Sequence, residues 1–227
     1  MKLLIGNKCY SSWSLRAWLI MRAKGIGFTE KLVPLDEPGF KATIFADAPG
    51  SGGTVPTLVD GDVAVWETLA IVEYLHETHP QAGIWPGDKA ARAHARAASS
   101  EMHAGFTALR SACPMNLGKR FSARDRGPAV ASDVERLTAL WRQARERFGA
   151  AGPFLYGEFS AADAMYAPVV TRLDTYGIAV DAVAQAYMKA VLALPAYREW
   201  LAAALAEPWI VAQDEVDEPA LVDLRRS

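Results

Sequence analysis

The chain has 227 residues, of which 51% are hydrophobic and 22% charged, the composition of an ordinary globular protein with one large domain or two small ones. Its 24 Lys and Arg residues nearly balance its 26 Asp and Glu residues, and a formal net charge of −2 gives no electrostatic reason to expect nucleic acid or an anionic membrane as a partner. No apolar run approaches the roughly 20 residues that a membrane-spanning helix needs, so we expect a protein that acts on small molecules.

The chain contains two cysteines, Cys9 and Cys113, far apart in sequence. Two cysteines are too few for a disulfide framework, so a reducing cytoplasm is the simpler expectation. The chain turns polar at Asn7 and Lys8, too early for a secretory signal peptide. The sequence has no metal-binding spacing of Cys residues, and we expect no metal site.

The first 35 residues predict a β-α-β unit. Residues 2–6 are a short apolar run that ends in glycine, the size of a buried strand. Three serines of the kind that cap helices follow, and apolar residues at helical spacing then continue to Lys24-Gly25. Residues 28–35 predict a second strand, and such a crossover normally returns parallel to the first strand.

The next segment predicts a hairpin and a helix. Residues 36–54 contain many glycines and prolines, which indicates a long, partly irregular connection with one short helix at 40–46. The β-rich runs 57–59 and 63–66 flank Asp60-Gly61-Asp62, a strong signal for an antiparallel hairpin. A helix is predicted over 67–79, where Pro80 ends it.

These elements predict an α+β domain at 1–79, a linker at 80–87 and an all-helical domain at 88–227. Within the second domain we expect the acidic tail from Gln213 to order on docking or to fray rather than form a helix. The predicted helices of the second domain cover 88–112, 130–148, 161–175, 182–193 and 196–206.

The order of these elements resembles the glutathione transferases. The segments Val55-Pro56-Thr57-Leu58, Asp60-Gly61 and Trp66-Glu67-Thr68-Leu69 have the order and spacing of that family's thioredoxin-like half. Residues 157–163 resemble the family's capping segment, in which Ser160 and Asp163 would cap the central helix. The resemblance covers nearly the whole chain and implies the cytosolic glutathione transferase architecture, a thioredoxin-like domain followed by an all-helical one.

The resemblance implies a glutathione site in the first domain. Val55, ahead of a cis bond to Pro56, would offer its backbone to the cysteinyl part of glutathione. Thr68 and Glu67, at the start of a helix, would hold the γ-glutamyl carboxylate and ammonium groups. Taken alone, Thr and Glu are common in a first helical turn, and a proline also suits the start of an edge strand.

Thr54 marks a departure from the family pattern. Many members have lysine or glutamine there, in contact with the glycyl carboxylate of glutathione. Thr54 supplies one hydrogen bond and no positive charge, and Lys41 is an alternative source of that charge.

The segment Ser11-Ser12-Trp13-Ser14-Leu15-Arg16 resembles the serine-type, zeta-like transferases. By that resemblance Ser11 is the catalytic residue, whose hydroxyl donates a hydrogen bond to the glutathione sulfur and favours the thiolate, with Ser12 as the alternative. Such a bond is worth about 1.5–3 kcal/mol, enough to lower a thiol pKa by roughly one to two units. The serines would equally serve as helix caps.

The second substrate, a small electrophile, would bind between the domains. Met102, Phe106 and Arg110 lie at helical spacing on the first long helix of the second domain and are candidates to line its site. For most of the apolar members core packing is the favoured explanation, whereas Arg110 suits an anionic co-substrate. We expect a basic run to be solvated, made up of Lys119, Arg120, Arg124 and Arg126.

The resemblance implies a cytoplasmic homodimer that uses glutathione as co-substrate. The implied activity is glutathione conjugation to an electrophile, or a glutathione-assisted isomerisation. The alternative is a non-catalytic module with the transferase fold that acts through partner proteins.

Overall fold

The computed structural model describes residues 1–225, so the last two residues of the predicted second domain lie outside the described part. The predicted domain limits at residues 79 and 88 stay a prediction. None of the helices in the described part has an apolar stretch long enough to cross a bilayer. In chain order the elements are β1 (Lys2–Ile5), α1 (Ser12–Ala23), β2 (Thr29–Leu32), α2 (Phe40–Asp47), β3 (Thr57–Asp60), β4 (Val63–Trp66), α3 (Thr68–Thr78), α4 (Lys89–Ala104), α5 (Thr107–Ala112), β5 (Lys119–Phe121), α6 (Pro128–Phe148), α7 (Ala161–Thr175), α8 (Ala182–Ala193), α9 (Pro195–Ala206) and β6 (Ala220–Asp223), with short 3₁₀ turns at Pro80–Ala82 and Ala212–Asp214.

The N-terminal half is a four-stranded sheet with strand order β2-β1-β3-β4. Strands β1 and β2 are parallel and β3 and β4 antiparallel, which confirms the predicted β-α-β unit and hairpin. Gly61, in the hairpin turn, has a φ of 57°, a conformation that glycine adopts without strain. Strand β2 is shorter than predicted because Val33 donates the last backbone bond of the ladder, to Ile5, and Pro34 has no N–H with which to continue it.

The single helix predicted over 88–112 is wrong, because the chain breaks there into α4 and α5. Gly105 ends α4, and Phe106 has a left-handed φ of 58°. A Cβ on Gly105 would approach the carbonyl oxygen of Glu101 to 2.8 Å, so this sharp turn requires glycine. The break makes α5 a separate helix that begins at Thr107.

Within the described residues the acidic tail is ordered by docking, the first of the two expected outcomes, since β6 pairs antiparallel with β5. The basic residues expected to be solvated are instead all ion-paired, namely Lys119, Arg120, Arg124 and Arg126. The Arg126 side chain is 4% exposed and lies 3.0 Å from Glu218, and Lys119 lies 2.6 Å from Glu215. Arg124 stays solvated as expected, with 56% of its side chain exposed, but the expectation was wrong for the others. The acids that pair with Lys119 and Arg126 lie in the tail, more than 90 residues along the chain.

Helix α7 is the centre of the molecule, buried along nearly its whole length and packed against α1 and α4. The Nε of Arg16 on α1 donates to the Met165 carbonyl on α7 at 2.8 Å, which ties the two halves together. At the start of α7 the carboxylate of Asp163 accepts hydrogen bonds from the backbone N–H of Ser160 (2.8 Å) and of Leu155 (3.0 Å). The capping box is therefore formed.

Candidate active site

A cavity of about 410 Å³ opens between the two halves, and we call it the interdomain cavity. Its walls come from the loop before α1, the first turn of α1 and the region of α5, with one residue each from the loop after β2, the segment before β3, α7 and the tail. A larger cavity of about 550 Å³, between the start of α6 and the turn before α8, contains none of the predicted site residues. The interdomain cavity is lined by Tyr10, Ser11, Ser12, Trp13, Leu35, Val55, Thr107, Arg110, Ser111, Pro114, Met115, Arg172 and Asp214.

A smaller cavity of about 190 Å³ lies at the start of α3, and we call it the α3 cavity. Trp13 and Val55 line both cavities, so the two are adjacent. The structure thereby brings together the predicted residues of three separate chain segments. The α3 cavity is lined by Trp13, Thr54, Val55, Pro56, Glu67 and Thr68.

Ser11 and Ser12 both line the interdomain cavity, at the N-terminus of α1. Ser11 is 7% exposed and caps the helix, and its hydroxyl accepts a long bond from the Ser14 N–H at 3.4 Å. The same hydroxyl donates to the Ser14 Oγ at 2.8 Å, and Ser14 also accepts from the Gly6 N–H at 3.0 Å. A ligand acceptor in the cavity would take the Ser11 hydrogen bond in exchange for the one to Ser14. Ser12 is half-buried.

Thr68 begins α3 and faces the α3 cavity. It is 1% exposed, and its hydroxyl has no hydrogen-bond partner within the described residues. A buried hydroxyl without a partner costs about 1–3 kcal/mol. The N-terminus of a helix also presents free N–H groups and the positive end of the helix dipole. This place can therefore accept a carboxylate.

Glu67 precedes Thr68 with a φ of 69°. A non-glycine residue in this region stores roughly 1–3 kcal/mol of backbone strain, a feature that clusters at ligand-binding sites. The Glu67 side chain is 59% exposed, and its carboxylate lies 3.8 Å from the Nε2 of His103 on α4. It is available to a cationic group of a ligand.

The Val55-Pro56 bond is cis, as the resemblance implied. Thr54 is exposed beside it, and its carbonyl accepts a hydrogen bond from the Thr57 hydroxyl at 2.6 Å. Across residues 1–225 no lysine or arginine lines the α3 cavity, and the exposed Lys41 lines neither cavity.

Three arginines gather near the interdomain cavity. Arg110 was a predicted site residue and Arg16 belongs to the serine segment that carried the resemblance, whereas no sequence pattern indicated Arg172. Arg172 on α7 lines the cavity, and burial, followed by repulsion from Arg110, lowers the pKa of Arg172 to about 10. Arg16 is fully buried, and this burial together with the charges of Arg172 and Arg110 depresses its pKa well below the usual range. The Nη1 and Nη2 atoms of Arg16 have no hydrogen-bond partner in the described part of the chain. An anion in the cavity would relieve this repulsion.

Trp13 separates the cavities, a role that the sequence did not reveal. The guanidinium carbons of Arg16 and Arg110 lie 4.2 Å and 5.0 Å from its ring centroid, and the His103 ring lies 5.0 Å away. These contacts fix the indole where it lines both cavities.

Met102 and Phe106 do not reach the interdomain cavity. Met102 is fully buried and Phe106 is 7% exposed, so both belong to the core. The break at Gly105 turns the following residues, and the wall of the cavity is formed by Thr107, Arg110 and Ser111 of α5. Of the three electrophile-site candidates, Arg110 alone lines it.

The chain matches two family models in tandem. The model of the glutathione S-transferase N-terminal domain matches residues 10–78, and the model of the glutathione S-transferase C-terminal domain matches residues 92–203.

Curated relatives agree with these matches over part of their length. The probable maleylacetoacetate isomerase of Caenorhabditis elegans is 37% identical over 132 residues, which are 57% of this chain and 60% of that protein. Protein IN2-1 of Zea mays is 27% identical over 169 residues, 74% of this chain and 64% of that protein. The chain therefore spans less than two thirds of the length of these relatives.

Solved structures share the fold. A glutathione transferase homolog from Burkholderia gl BGR1 with bound glutathione has a TM-score of 0.67 at 23% identity, covering 91% of this chain and 98% of that chain. Maleyl pyruvate isomerase, a bacterial glutathione S-transferase in the zeta class, has a TM-score of 0.67 at 21% identity, covering 92% and 99%. With both family models matched in order along most of its length, the chain belongs to the glutathione S-transferase family.

Proposed function

We propose that this chain activates the thiol of glutathione for conjugation to, or isomerisation of, a small electrophile that carries a carboxylate. The observation that carries the proposal is the unpartnered, buried hydroxyl of Thr68 at the start of α3. It lies in a cavity that adjoins the one containing Ser11.

The α3 cavity suits the γ-glutamyl end of glutathione. The Thr68 hydroxyl and the N-terminus of α3 would hold its carboxylate, and Glu67 would attract its ammonium group. The backbone of Val55 would hold the cysteinyl part, which directs the sulfur toward the interdomain cavity. Thr54 would meet the glycyl carboxylate with one hydrogen bond, so we expect a modest affinity for glutathione.

Bound glutathione would supply a thiol nucleophile. Ser11 is the proposed catalytic residue, with Ser12 as the alternative, because both stand at the N-terminus of α1 and line the interdomain cavity. A hydroxyl that donates to the sulfur and the positive end of the α1 dipole both favour the thiolate.

The arginines support an anionic electrophile. Arg110 and Arg172 line the interdomain cavity together with one acidic residue, Asp214, and Arg16 lies nearby. The three cations outnumber that carboxylate, so the site favours an anionic compound over a neutral one. Two of the similar proteins are isomerases named for maleyl compounds, which are carboxylic acids with a double bond that a thiol can attack.

A cytoplasmic homodimer is part of the proposal. Both cysteines are free and buried, which suits a reducing compartment. The N-terminal half also exposes large apolar side chains on α2 and β4, which suit an interface with a second copy, namely Phe45, Val63 and Trp66.

Glutathione titration of the wild type and of Thr68→Val tests the proposal. Valine keeps the shape of threonine but removes the hydroxyl, so we expect the KM for glutathione to rise about tenfold, the value of one hydrogen bond to a charged group. The melting temperature should stay equal or rise, because an unpartnered buried hydroxyl is removed. Thr68→Ser is the control and should bind like the wild type.

Two outcomes would contradict the proposal. A wild-type protein that neither binds glutathione nor conjugates it to any electrophile would leave the non-catalytic transferase-fold module as the better account. Equal KM values in the wild type and Thr68→Val would show that the α3 cavity does not hold the γ-glutamyl group.

Arg110→Gln tests the charge of the electrophile. We expect kcat/KM to fall about tenfold for an electrophile with a carboxylate and to change less than about twofold for a neutral aryl halide, since a charge-assisted bond is lost only with the former. Arg198→Gln is the matched control, because the exposed Arg198 on α9 lines neither cavity. Equal losses for both electrophiles would contradict a role in charge recognition.

A further inference from the structure

The chain between β1 and α1, residues 7–10, is here called the serine loop because it leads directly to Ser11. Within the loop, Asn7 accepts backbone bonds from Tyr10 (3.1 Å) and Ser11 (2.7 Å), which closes it into a turn that ends at the serine. The position of Ser11 therefore follows the position of this turn.

The helical half of the molecule holds the serine loop. The Lys8 carbonyl accepts from the Nε1 of Trp200 on α9 at 2.9 Å, and the Cys9 carbonyl accepts from the Leu117 N–H at 3.2 Å. These partners lie more than 100 residues away in sequence, so the loop is fixed by tertiary packing.

Glu207, the residue after α9, accepts hydrogen bonds from the backbone N–H groups of the same two residues. Its Oε1 accepts from the Lys8 N–H at 2.9 Å, and its Oε2 accepts from the Cys9 N–H at 3.5 Å. Burial raises the pKa of Glu207, while these two N–H groups act in the opposite direction. Lys8 is 6% exposed and Cys9 is fully buried, so both N–H groups need a partner within the protein.

We infer that Glu207 is a positioning residue for Ser11, acting through the backbone of Lys8 and Cys9. The inference rests on the proposed function, since it concerns the hydroxyl that would activate the thiol. Both oxygens of one carboxylate hold consecutive N–H groups two and three residues before Ser11, so their loss lets the turn shift. A hydrogen bond from Ser11 to a sulfur tolerates little displacement.

A positioning role for Glu207 predicts a specific change in the ionisation of the bound thiol. Glu207 lines neither the α3 cavity nor the interdomain cavity, so its loss should leave the binding of glutathione nearly intact. What should change is the ionisation of the sulfur. A merely structural residue would lower the melting temperature without altering that ionisation.

The experiment compares the wild type, Glu207→Ala and Glu207→Gln by ultraviolet titration of the bound thiolate, together with the pH profile of kcat/KM. For Glu207→Ala we expect the thiol pKa to rise about one unit and kcat near neutral pH to fall about tenfold, while the KM for glutathione changes less than about twofold. Glutamine keeps an acceptor for the Lys8 N–H, and should give a smaller shift in the same direction.

Glu199→Gln is the matched control. Glu199 lies on α9, which ends just before Glu207, and pairs across the two halves with Arg22 at 2.8 Å, but it has no hydrogen bond to the serine loop. It should leave the thiol pKa unchanged.

Three outcomes would overturn the inference. A Glu207→Ala protein that folds and titrates like the wild type overturns it alone, and the proposed function stands. A wild type that binds no glutathione overturns both. Should the alanine variant not fold, Glu207→Gln decides: a thiol pKa equal to that of the wild type, with unchanged hydrogen exchange at the Lys8 and Cys9 amides, overturns the inference.

Discussion

Replacing Ser11 by alanine is expected to lower kcat about 100-fold, the upper range for loss of one hydrogen bond to a developing charge. The KM for glutathione should change less than about threefold, because the hydroxyl would act on the sulfur while the α3 cavity holds the other end of the molecule. Ser11 is favoured by the structure for a further reason. The Ser11 residue is 7% exposed at the N-terminus of α1, where water competes little for the thiolate.

The measurement is kcat and KM for glutathione in Ser11→Ala and Ser12→Ala, with the thiol pKa from the pH dependence of kcat/KM. Ser11 also caps α1, so its loss should cost about 1 kcal/mol of stability, and rates must be referred to the folded fraction. Ser12→Ala should retain most of the wild-type kcat. An equal loss in Ser12→Ala, with Ser11→Ala active, would move the catalytic role by one residue.

Local sequence patterns predicted the elements that carry the candidate site. The Asp-Gly pair between two β-rich runs is sufficient for the β3-β4 hairpin, because its turn geometry depends on the turn residues themselves. The serine-rich start of α1 and the Glu67-Thr68 pair at the start of α3 are likewise local signals. Their meeting at adjacent cavities followed from the family resemblance, since no local pattern shows which helix termini face each other.

The features that the sequence missed depend on contacts between distant residues. The acids Glu215 and Glu218 lie 92 or more residues from the cations that they pair with, so the basic run looked solvated. Arg172 carries no local sequence signal, because what distinguishes it is its burial near Arg16 and Arg110. The break at Gly105 was missed because a lone glycine inside a helical pattern is tolerated and does not by itself mark the end of a helix.

Thr68 is a residue that the sequence predicted without revealing the property that makes it a candidate for ligand binding. The sequence placed it in the first turn of α3, where a threonine is ordinary. What distinguishes it is that its hydroxyl is buried without a hydrogen-bond partner, which depends on how the neighbouring segments of the chain pack around it. Motifs can predict candidate binding residues. Whether such a residue has a buried polar group without a hydrogen-bond partner depends on the tertiary structure.

Replacing Asp163 by alanine is expected to lower the free energy of unfolding by about 3 kcal/mol at pH 7, because three buried donors lose their acceptor. These are the N–H groups of Leu155 and Ser160 and the Ser160 hydroxyl, all within 3.0 Å of the carboxylate. Asp163 is fully buried at the start of α7, the central helix, so water cannot take over these bonds. Ser160→Ala is the matched control and should cost about 1 kcal/mol, since it removes only the hydroxyl. Urea unfolding measures both, and equal losses would contradict the network.

Asp163 also predicts a pH dependence. Burial raises its pKa from 3.8 to about 6, against the lowering effect of the Leu155 and Ser160 donors. The folded state therefore holds the Asp163 proton more tightly than the unfolded state does. The stabilisation of the fold by protonated Asp163 is fully present below about pH 4 and is lost as the pH rises through 6. A shift of this size corresponds to about 3 kcal/mol. Asp163→Asn cannot titrate, so its unfolding free energy, measured in urea between pH 4 and 7, should lack that decline. A wild type and an Asp163→Asn variant with parallel pH profiles would show that the carboxyl is ionised throughout, held in that form by its three donors.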